Sequence, residues 1–143
     1  MVSVRWNMFY SDTFPLTAGV RQCGVLSLVL FCIYIDGVIQ RLEGSKLGCC
    51  VGGSYVGCIL YADNLVLMSP CVCNLQRMID LCADELYKIV MLPNAGKCAV
   101  LRFGSRFCKS CVQLCVQSSP IKYCNKVKYL GVMLRSSVMF SVE

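Results

Sequence analysis

A tight polar turn between two apolar runs is the part of this sequence whose residues could carry chemistry. The runs Val56–Leu60 and Leu65–Met68 flank the segment Tyr61–Asn64, which reads YADN, and this pattern predicts a β-hairpin with an Asp-Asn pair at its turn. Two-metal catalysis needs carboxylates held close together on rigid backbone, because divalent ions prefer oxygen ligands. A hairpin turn could hold Asp63 in this way. Taken alone, an aspartate in such a turn is most often only a turn former, so both interpretations stay open.

The thirteen cysteines offer a second possible chemistry. Their odd number, without a recognisable secretory signal, predicts reduced thiols and an intracellular location, in the cytoplasm or the nucleus. Cys108 and Cys111 have CxxC spacing and are followed by Cys115 and Cys124, which is half of a zinc-site pattern. The sequence has no histidine and no second CxxC. Most of the cysteines are therefore interpreted as small hydrophobic residues, with zinc as the minor alternative.

The composition is apolar, with 57% hydrophobic and 15% charged residues, whereas soluble domains usually have about 25% charged residues. This predicts that part of the surface packs against other protein, such as a missing part of a larger molecule. The apolar run Cys23–Ile35 is shorter than the roughly 20 residues that a membrane span requires. We therefore expect a buried helix there and no membrane partner.

The net charge of +6 is unevenly distributed along the chain. Residues 1–96 contain six basic and seven acidic side chains, whereas residues 97–143 contain eight basic side chains and one acidic side chain, Glu143. The C-terminal third therefore has a net charge of +7. Such a segment is typical of a polyanion-binding surface and equally of a solvated basic face.

The elements that would position these residues follow from the hydrophobic periodicity. The order predicts an α+β domain over residues 1–143, with an antiparallel sheet and helices packed on one face. In chain order the predicted elements are an irregular or extended segment Trp6–Leu16, a buried helix Gly24–Ile39, the hairpin, a helix with apolar residues from Leu75 to Val90 that has Asn74 as N-cap and ends before Pro93, and strands Cys98–Phe103, Val112–Val116 and Val127–Leu134.

Five motifs occur in order along nearly the whole chain. They are FPLTAGVRQCGVLSLVLF at 14–31, IYID at 33–36, GCILYADN at 57–64, NAGK at 94–97 and KYLGV at 128–132. As an ordered set they closely resemble the palm motifs of reverse transcriptases from non-long-terminal-repeat retrotransposons. The resemblance implies a partial polymerase palm and an RNA-directed DNA polymerase activity.

The resemblance also implies roles for the matched positions. Asp63 would be a catalytic Mg²⁺ ligand with Asn64 beside it, and Lys97 would stand near the phosphates of the incoming nucleotide. The implied partners are an RNA or DNA template-primer and a deoxynucleoside triphosphate. The implied nucleotide- and template-binding positions are Arg21, Gln22, Cys23 and Gly24, and the implied primer-binding positions are Tyr129, Leu130 and Gly131.

The sequence departs from the family pattern at several constrained positions. Asn64 stands where the family has its second hairpin aspartate, which removes a negative charge. Cys23 replaces the first glycine of a Gly-Gly pair, Leu28 a proline and Gly37 an aspartate. The family's other essential carboxylate is expected upstream of residue 1, so Mg²⁺ binding is doubtful.

These departures predict a degenerate fragment that is inactive as a polymerase on its own. One alternative is a non-catalytic nucleic-acid-binding remnant that uses the basic C-terminal third. A second alternative is a palm half that works only with a partner chain that supplies the missing carboxylate.

Overall fold

A computed structural model describes residues 1–15 and 24–142. The chain divides into two compact units, Met1–Tyr34 and Ile35–Glu143. No described helix is both long enough and apolar enough to cross a membrane.

The N-terminal unit begins with a small hairpin. Strand β1 (Arg5–Trp6) pairs antiparallel with β2 (Phe9–Tyr10), and Asn7 at the turn has a φ of 54°, which asparagine tolerates better than most residues. A bridge between Val2 and Phe14 extends this pairing through two backbone hydrogen bonds of 2.9 Å. The segment predicted as irregular or extended is therefore a short hairpin as far as residue 15.

The first helix, α1 (Val25–Gly44), is longer than predicted, and its first half is not buried as predicted, since Leu26, Leu28 and Ile33 are exposed. Its predicted end lay at Ile39, because Gly37 weakens a helix by about 1 kcal/mol relative to alanine. The helix continues because Val38 and Leu42 are buried on one face, and burial of such side chains contributes about 1.5–3 kcal/mol each. Gln40 also donates a hydrogen bond to Asp36 one turn earlier, at 2.5 Å.

Two consecutive hairpins follow α1. Strands β3 (Cys50–Val51) and β4 (Ser54–Tyr55) form the first, and β5 (Cys58–Tyr61) and β6 (Asn64–Leu67) form the second. The second confirms the hairpin predicted around Asp63. One hydrogen bond joins the two hairpins, since Cys49 N–H donates to the Met68 carbonyl at 3.1 Å, and the Cys49 carbonyl extends the first hairpin by accepting from Val56 N–H at 2.9 Å.

The second helix, α2 (Val72–Lys88), begins and ends earlier than predicted. Its N-cap is Cys71 rather than Asn74, because the Ser69 hydroxyl accepts from the Cys71 N–H at 3.2 Å and turns the chain before the helix. It ends at Lys88, five residues before Pro93, where Val90 takes a φ of 57°. The buried face contains Met78, Ile79, Cys82 and Ala83.

The C-terminal part consists of short strands. The predicted strand Cys98–Phe103 is reduced to β7 (Ala99–Val100) and Val112–Val116 to β8 (Cys115–Val116). The predicted single strand Val127–Leu134 is wrong, since it is a hairpin of β11 (Lys126–Tyr129) and β12 (Val132–Arg135). The remaining strands are β9 (Ser119–Pro120), β10 (Lys122–Tyr123) and β13 (Ser141–Val142).

The fold class is mixed α+β, as predicted, but the predicted single antiparallel sheet is not formed. The described strands make six small sheets, and one of them pairs β7 with β10 in parallel. A hydrophobic cluster joins α2 to β7, β8 and the segment around β10. Its buried members are Ile79, Val100, Leu114, Val116 and Ile121.

Gln76 joins α2 to β8 by a polar link across 39 residues of sequence. Its Nε2 donates to the Cys115 carbonyl at 2.9 Å, and its Oε1 accepts from the Cys115 N–H at 2.9 Å. The same Nε2 also donates to Asp80 at 2.7 Å. One side-chain amide therefore takes the place that a neighbouring strand would occupy beside β8.

Replacing Gln76 with leucine is expected to lower the free energy of unfolding by about 2–3 kcal/mol, because both backbone groups of half-buried Cys115 lose their partner. Urea denaturation followed by circular dichroism measures this. Asp80→Asn is the control, because it leaves an acceptor for Gln76 and should change stability by no more than about 0.5 kcal/mol. A Gln76→Leu protein as stable as this control would contradict the prediction.

Candidate active-site hairpin

The hairpin turn presents Asp63 and Asn64 to solvent. Tyr61 and Asn64 are the last paired residues of β5 and β6, so Ala62 and Asp63 form the two-residue connection. Ala62 has a φ of 50°, a left-handed conformation that costs an L-residue about 1–2 kcal/mol. The pairing of four residues on each strand fixes this turn and directs both polar side chains to the same end of the hairpin.

The donor set at this turn does not fit a pair of Mg²⁺ ions. Asn64 Nδ2 donates to Asp63 Oδ1 at 3.4 Å, so the neighbour of this carboxylate is a neutral amide and not a second acid. Two-metal sites hold ions about 3.5–4 Å apart and need several oxygen ligands. Among the described residues, no three His, Cys, Asp or Glu side chains lie close enough to hold a metal ion. The hairpin therefore has one of the required ligands.

Lys97 lies on a different element from the hairpin. It ends the 3₁₀ helix Ala95–Lys97, in which Asn94 is the N-cap and its Oδ1 accepts from Gly96 N–H at 3.0 Å. Lys97 is exposed, and within the described chain no hydrogen bond or ion pair joins it to Asp63. The NAGK motif thus has a structural role in Asn94 that the sequence interpretation did not assign.

The predicted nucleotide- and template-binding residues are only partly covered. Arg21, Gln22 and Cys23 lie outside the described residues. Gly24 is half-buried and its carbonyl accepts from the Ser27 N–H at 3.0 Å. It therefore stands immediately before the first turn of α1.

The predicted primer-binding residues lie together on the tip of the β11–β12 hairpin. Leu130 and Gly131 form its turn with φ values of 48° and 86°, and two consecutive left-handed residues are typical of a two-residue hairpin connection. Tyr129 precedes them, and its hydroxyl is buried without a hydrogen-bond partner in the described part of the chain. The turn exposes Leu130 and Gly131.

The cysteines of the CxxC motif are not part of a described metal cluster. Cys108 is exposed and Cys111 is half-buried. Burial raises the pKa of Tyr123 to about 12, and a hydrogen bond with Cys111 acts in the same direction. Cys111 is therefore a neighbour of Tyr123.

Among the cysteines that the structure describes, Cys71 is the one whose environment favours the thiolate, which the sequence interpretation missed. The backbone amides of Asn74 and Cys73 at the start of α2 lower the pKa of the Cys71 thiol, although no side-chain capping hydrogen bond is closed. In contrast, burial raises the pKa of Cys82 to about 12. The sequence feature that could have identified the Cys71 thiol is its position two residues after Ser69, at the start of a helix.

At neutral pH iodoacetamide is expected to alkylate Cys71 at least about tenfold faster than Cys82, because the thiolate is the nucleophile. Peptide mass spectrometry of timed samples measures the two rates. Alkylation in urea is the control, since unfolding exposes both thiols and should remove the difference. Equal rates in the folded protein would contradict the assignment.

The ordered motifs and the hairpin geometry agree with the comparison to known families. The family described as reverse transcriptase (RNA-dependent DNA polymerase) matches residues 3–134. This chain belongs to the reverse transcriptase family. The predicted resemblance to non-long-terminal-repeat retrotransposon reverse transcriptases is confirmed at this level.

Two curated relatives place this reverse transcriptase chain among retrotransposon sequences. It is 29% identical over 138 residues to the retrovirus-related Pol polyprotein from type-2 retrotransposable element R2DM of Drosophila melanogaster. The aligned region covers 91% of this chain and 13% of that protein. It is 27% identical over 131 residues to the RNA-directed DNA polymerase from mobile element jockey of Drosophila funebris. This aligned region covers 87% of this chain and 14% of that protein. The chain thus spans about one seventh of these relatives' length. No solved structure matches it.

Proposed function

We propose that residues 1–143 are a partial palm domain of a retrotransposon RNA-directed DNA polymerase with a degenerate catalytic centre, and that the chain alone does not extend primers. The observation that carries the proposal is the Asn64 amide, which donates to Asp63 at 3.4 Å where the family resemblance implies a second acid. One carboxylate and one amide offset little of the charge of two divalent ions. The family generally uses divalent metal ions. Asn64 in place of an acid therefore removes a ligand charge from the site on which that activity depends.

The remaining site residues are proposed to retain their inherited places. Lys97 is exposed and cationic and is proposed to face the phosphates of an incoming deoxynucleotide, where positive charge stabilises a leaving group. Arg21, Gln22, Cys23 and Gly24 are proposed to line the template and nucleotide. The exposed turn after Tyr129, at Leu130 and Gly131, is proposed to hold the primer end. The remaining part of the polymerase is the proposed protein partner.

A primer-extension assay tests the proposed inactivity. The purified chain is incubated with an RNA template, a labelled DNA primer and deoxynucleotides, with Mg²⁺ in one series and Mn²⁺ in another. We expect no extension in either series. Template-dependent incorporation that Asp63→Ala abolishes would overturn the proposal, whereas incorporation that survives Asp63→Ala would identify a contaminating polymerase.

Replacing Asn64 with aspartate is expected to strengthen Mn²⁺ binding at the hairpin by about thirtyfold. A second negative charge a few ångströms from the ion contributes on the order of 1 kcal/mol or more per cation charge even in water. Electron paramagnetic resonance of Mn²⁺ titrations measures the free ion. Asn64→Gln is the control, because it lengthens the side chain without adding charge and should leave binding unchanged. Equal affinities for the two variants would contradict the proposed role of Asn64.

A further inference from the structure

The CxxC motif at Cys108 and Cys111 has no role in the proposed polymerase function. Zinc sites need about four ligands, and within the described part of the chain no group of three metal-ligating side chains includes these two thiols. Cys108 is exposed and Cys111 is half-buried. The same spacing is that of dithiol–disulfide exchange sites, in which access decides which thiol reacts first.

The chain bends between the two cysteines. Lys109 N–H donates to the Arg106 carbonyl at 3.1 Å, so Cys108 lies inside a turn, and the chain bends again at Lys109. A disulfide requires Cα atoms within about 7 Å of each other. An extended segment would place Cys108 and Cys111 roughly 10 Å apart, whereas a bent one of this length brings them closer.

Tyr123 holds the second cysteine of the motif. The Tyr123 hydroxyl donates to the Val112 carbonyl at 2.5 Å, and it also forms a hydrogen bond with the Cys111 thiol. Cys111 is therefore half-buried and engaged, while Cys108 faces solvent. An incoming reagent meets Cys108 first.

Arg102 places a fixed positive charge between the two thiols in sequence. Its guanidinium donates a hydrogen bond to the carbonyl of Lys109, the residue after Cys108, and lies over the Tyr123 ring, 5.2 Å from the ring centroid. Its backbone N–H donates to the hydroxyl of buried Ser136 at 3.1 Å. A guanidinium held in this way loses little conformational freedom when it binds a carboxylate in the planar geometry that arginine favours.

Cys108 lines a cleft of about 780 Å³, a volume within the roughly 300–1,000 Å³ of small-molecule sites. The lining also contains Phe107 and the basic residues Arg102, Lys126 and Arg135. The exposed thiol thus opens on a space that admits a small molecule, with the Arg102 guanidinium in the same wall.

We propose that Cys108 and Cys111 form a dithiol–disulfide site for a small disulfide that carries carboxylates, of the glutathione disulfide type, and that Arg102 binds one of those carboxylates. The Cys108 thiolate attacks one ligand sulfur, the ligand S–S bond breaks, and the departing thiolate takes up the proton that Cys108 lost. The Cys111 thiolate then attacks the Cys108 sulfur and releases the second ligand thiol, which takes up the Cys111 proton. The dithiol is oxidised by two electrons, and one ligand disulfide is reduced to two thiols.

Timed thiol trapping of the full chain with glutathione disulfide tests the proposal. Chymotryptic cleavage after Phe107 and Leu114 gives one peptide with both thiols, and mass spectrometry is expected to show that it loses two hydrogens. Cys111→Ser is expected to accumulate one glutathione on Cys108. In Cys108→Ser, the shielded Cys111 is expected to react at least about tenfold more slowly.

Bis(2-hydroxyethyl) disulfide, a neutral reagent, separates charge recognition from simple access. Arg102→Gln is expected to slow the reaction of Cys108 with glutathione disulfide about fivefold and to leave the neutral reaction within about twofold. Arg106→Gln is the matched control, because it removes the same charge from an exposed position of the same loop, outside the described cleft lining. Both of its rates should stay within about twofold.

The other outcomes are also decisive. If Arg102→Gln unfolds by circular dichroism, the wild-type chain must show a glutathione disulfide rate that falls as salt rises while the neutral rate does not, and equal salt dependences overturn the proposal. No adduct on Cys108, first attack at Cys111, or a lasting Cys108 adduct without ring closure would each overturn it. Protection of both thiols by Zn²⁺ would indicate a metal site and also overturn it. The assay contains no template or primer, so its result is independent of primer extension.

Discussion

Replacing Gly48 with alanine is expected to lower the free energy of unfolding by about 3 kcal/mol or more. Gly48 has a φ of 105°, and an added Cβ would lie 2.9 Å from the Gly57 Cα and 3.0 Å from the Met68 carbonyl oxygen. Both are backbone atoms, so no side chain can move aside to relieve the clash. Overpacking of this kind costs about 1–3 kcal/mol, and the backbone conformation adds about 1–2 kcal/mol for an L-residue.

The consequence reaches the candidate active-site hairpin, because Cys49 N–H donates to Met68, the residue that follows β6. Displacing Gly48 therefore displaces the support of the hairpin that carries Asp63. Urea denaturation measures the loss, and amide hydrogen exchange at Leu65–Leu67 measures the local effect.

Gly53→Ala is the matched control for this substitution. Gly53 has a φ of 83° but no atom within 4 Å of an added Cβ, so only the backbone cost of about 1–2 kcal/mol applies. The difference between the two alanine variants isolates the steric clash at Gly48. Equal destabilisation would show that the close approach of Gly48 to Gly57 is not part of the native packing.

Replacing Leu114 with alanine is expected to lower the free energy of unfolding by about 2–5 kcal/mol. Leu114 is 1% exposed and belongs to the cluster that also contains Ile79 of α2 and Val100 of β7. The substitution removes buried methyl groups and leaves a cavity between the helix and three short strands. This cluster is the apolar contact between α2 and the short strands β7 and β8.

Thermal and urea unfolding of Leu114→Ala measure the effect. Val112→Ala is the control from the same segment, since Val112 is 73% exposed and its carbonyl, which accepts from the Tyr123 hydroxyl at 2.5 Å, is retained. Its expected change is within about 0.5 kcal/mol. A Leu114→Ala protein as stable as Val112→Ala would show that the cluster does not hold the strands together.

Local signals predicted the elements that depend on local pattern. The apolar runs around YADN predicted the β5–β6 hairpin because a two-residue connection between paired strands is decided within about ten residues of sequence. The apolar spacing of Met78, Ile79 and Cys82 predicted α2 because these residues share one helical face. The predicted start of α2 was wrong because Asn74 has the residue type of a helix N-cap. In the structure the hydrogen bond between Ser69 and Cys71 turns the chain three residues earlier.

The C-terminal strands show the opposite case. The run Val127–Leu134 is mostly apolar and was therefore interpreted as one strand. In the structure Leu130 and Gly131 take left-handed conformations and divide the run into a hairpin. Leucine is not a typical turn residue, and the local signal of the turn is the neighbouring Gly131. The parallel pairing of β7 with β10 also joins segments more than 20 residues apart, and hydrophobic periodicity alone does not specify such partners.

The sequence by itself determined the family, through five ordered motifs, and the chemical change at the turn, because an asparagine at position 64 lacks a carboxylate wherever the chain places it. It also determined that positive charge collects in the C-terminal third. Only the tertiary structure decided that the Asn64 amide faces Asp63, that Gln76 completes the hydrogen bonds of β8, and that Arg102, Lys126 and Arg135 line one cleft. The physical reason is that residue type fixes charge and hydrogen-bonding capacity, whereas convergence of distant side chains depends on long-range packing.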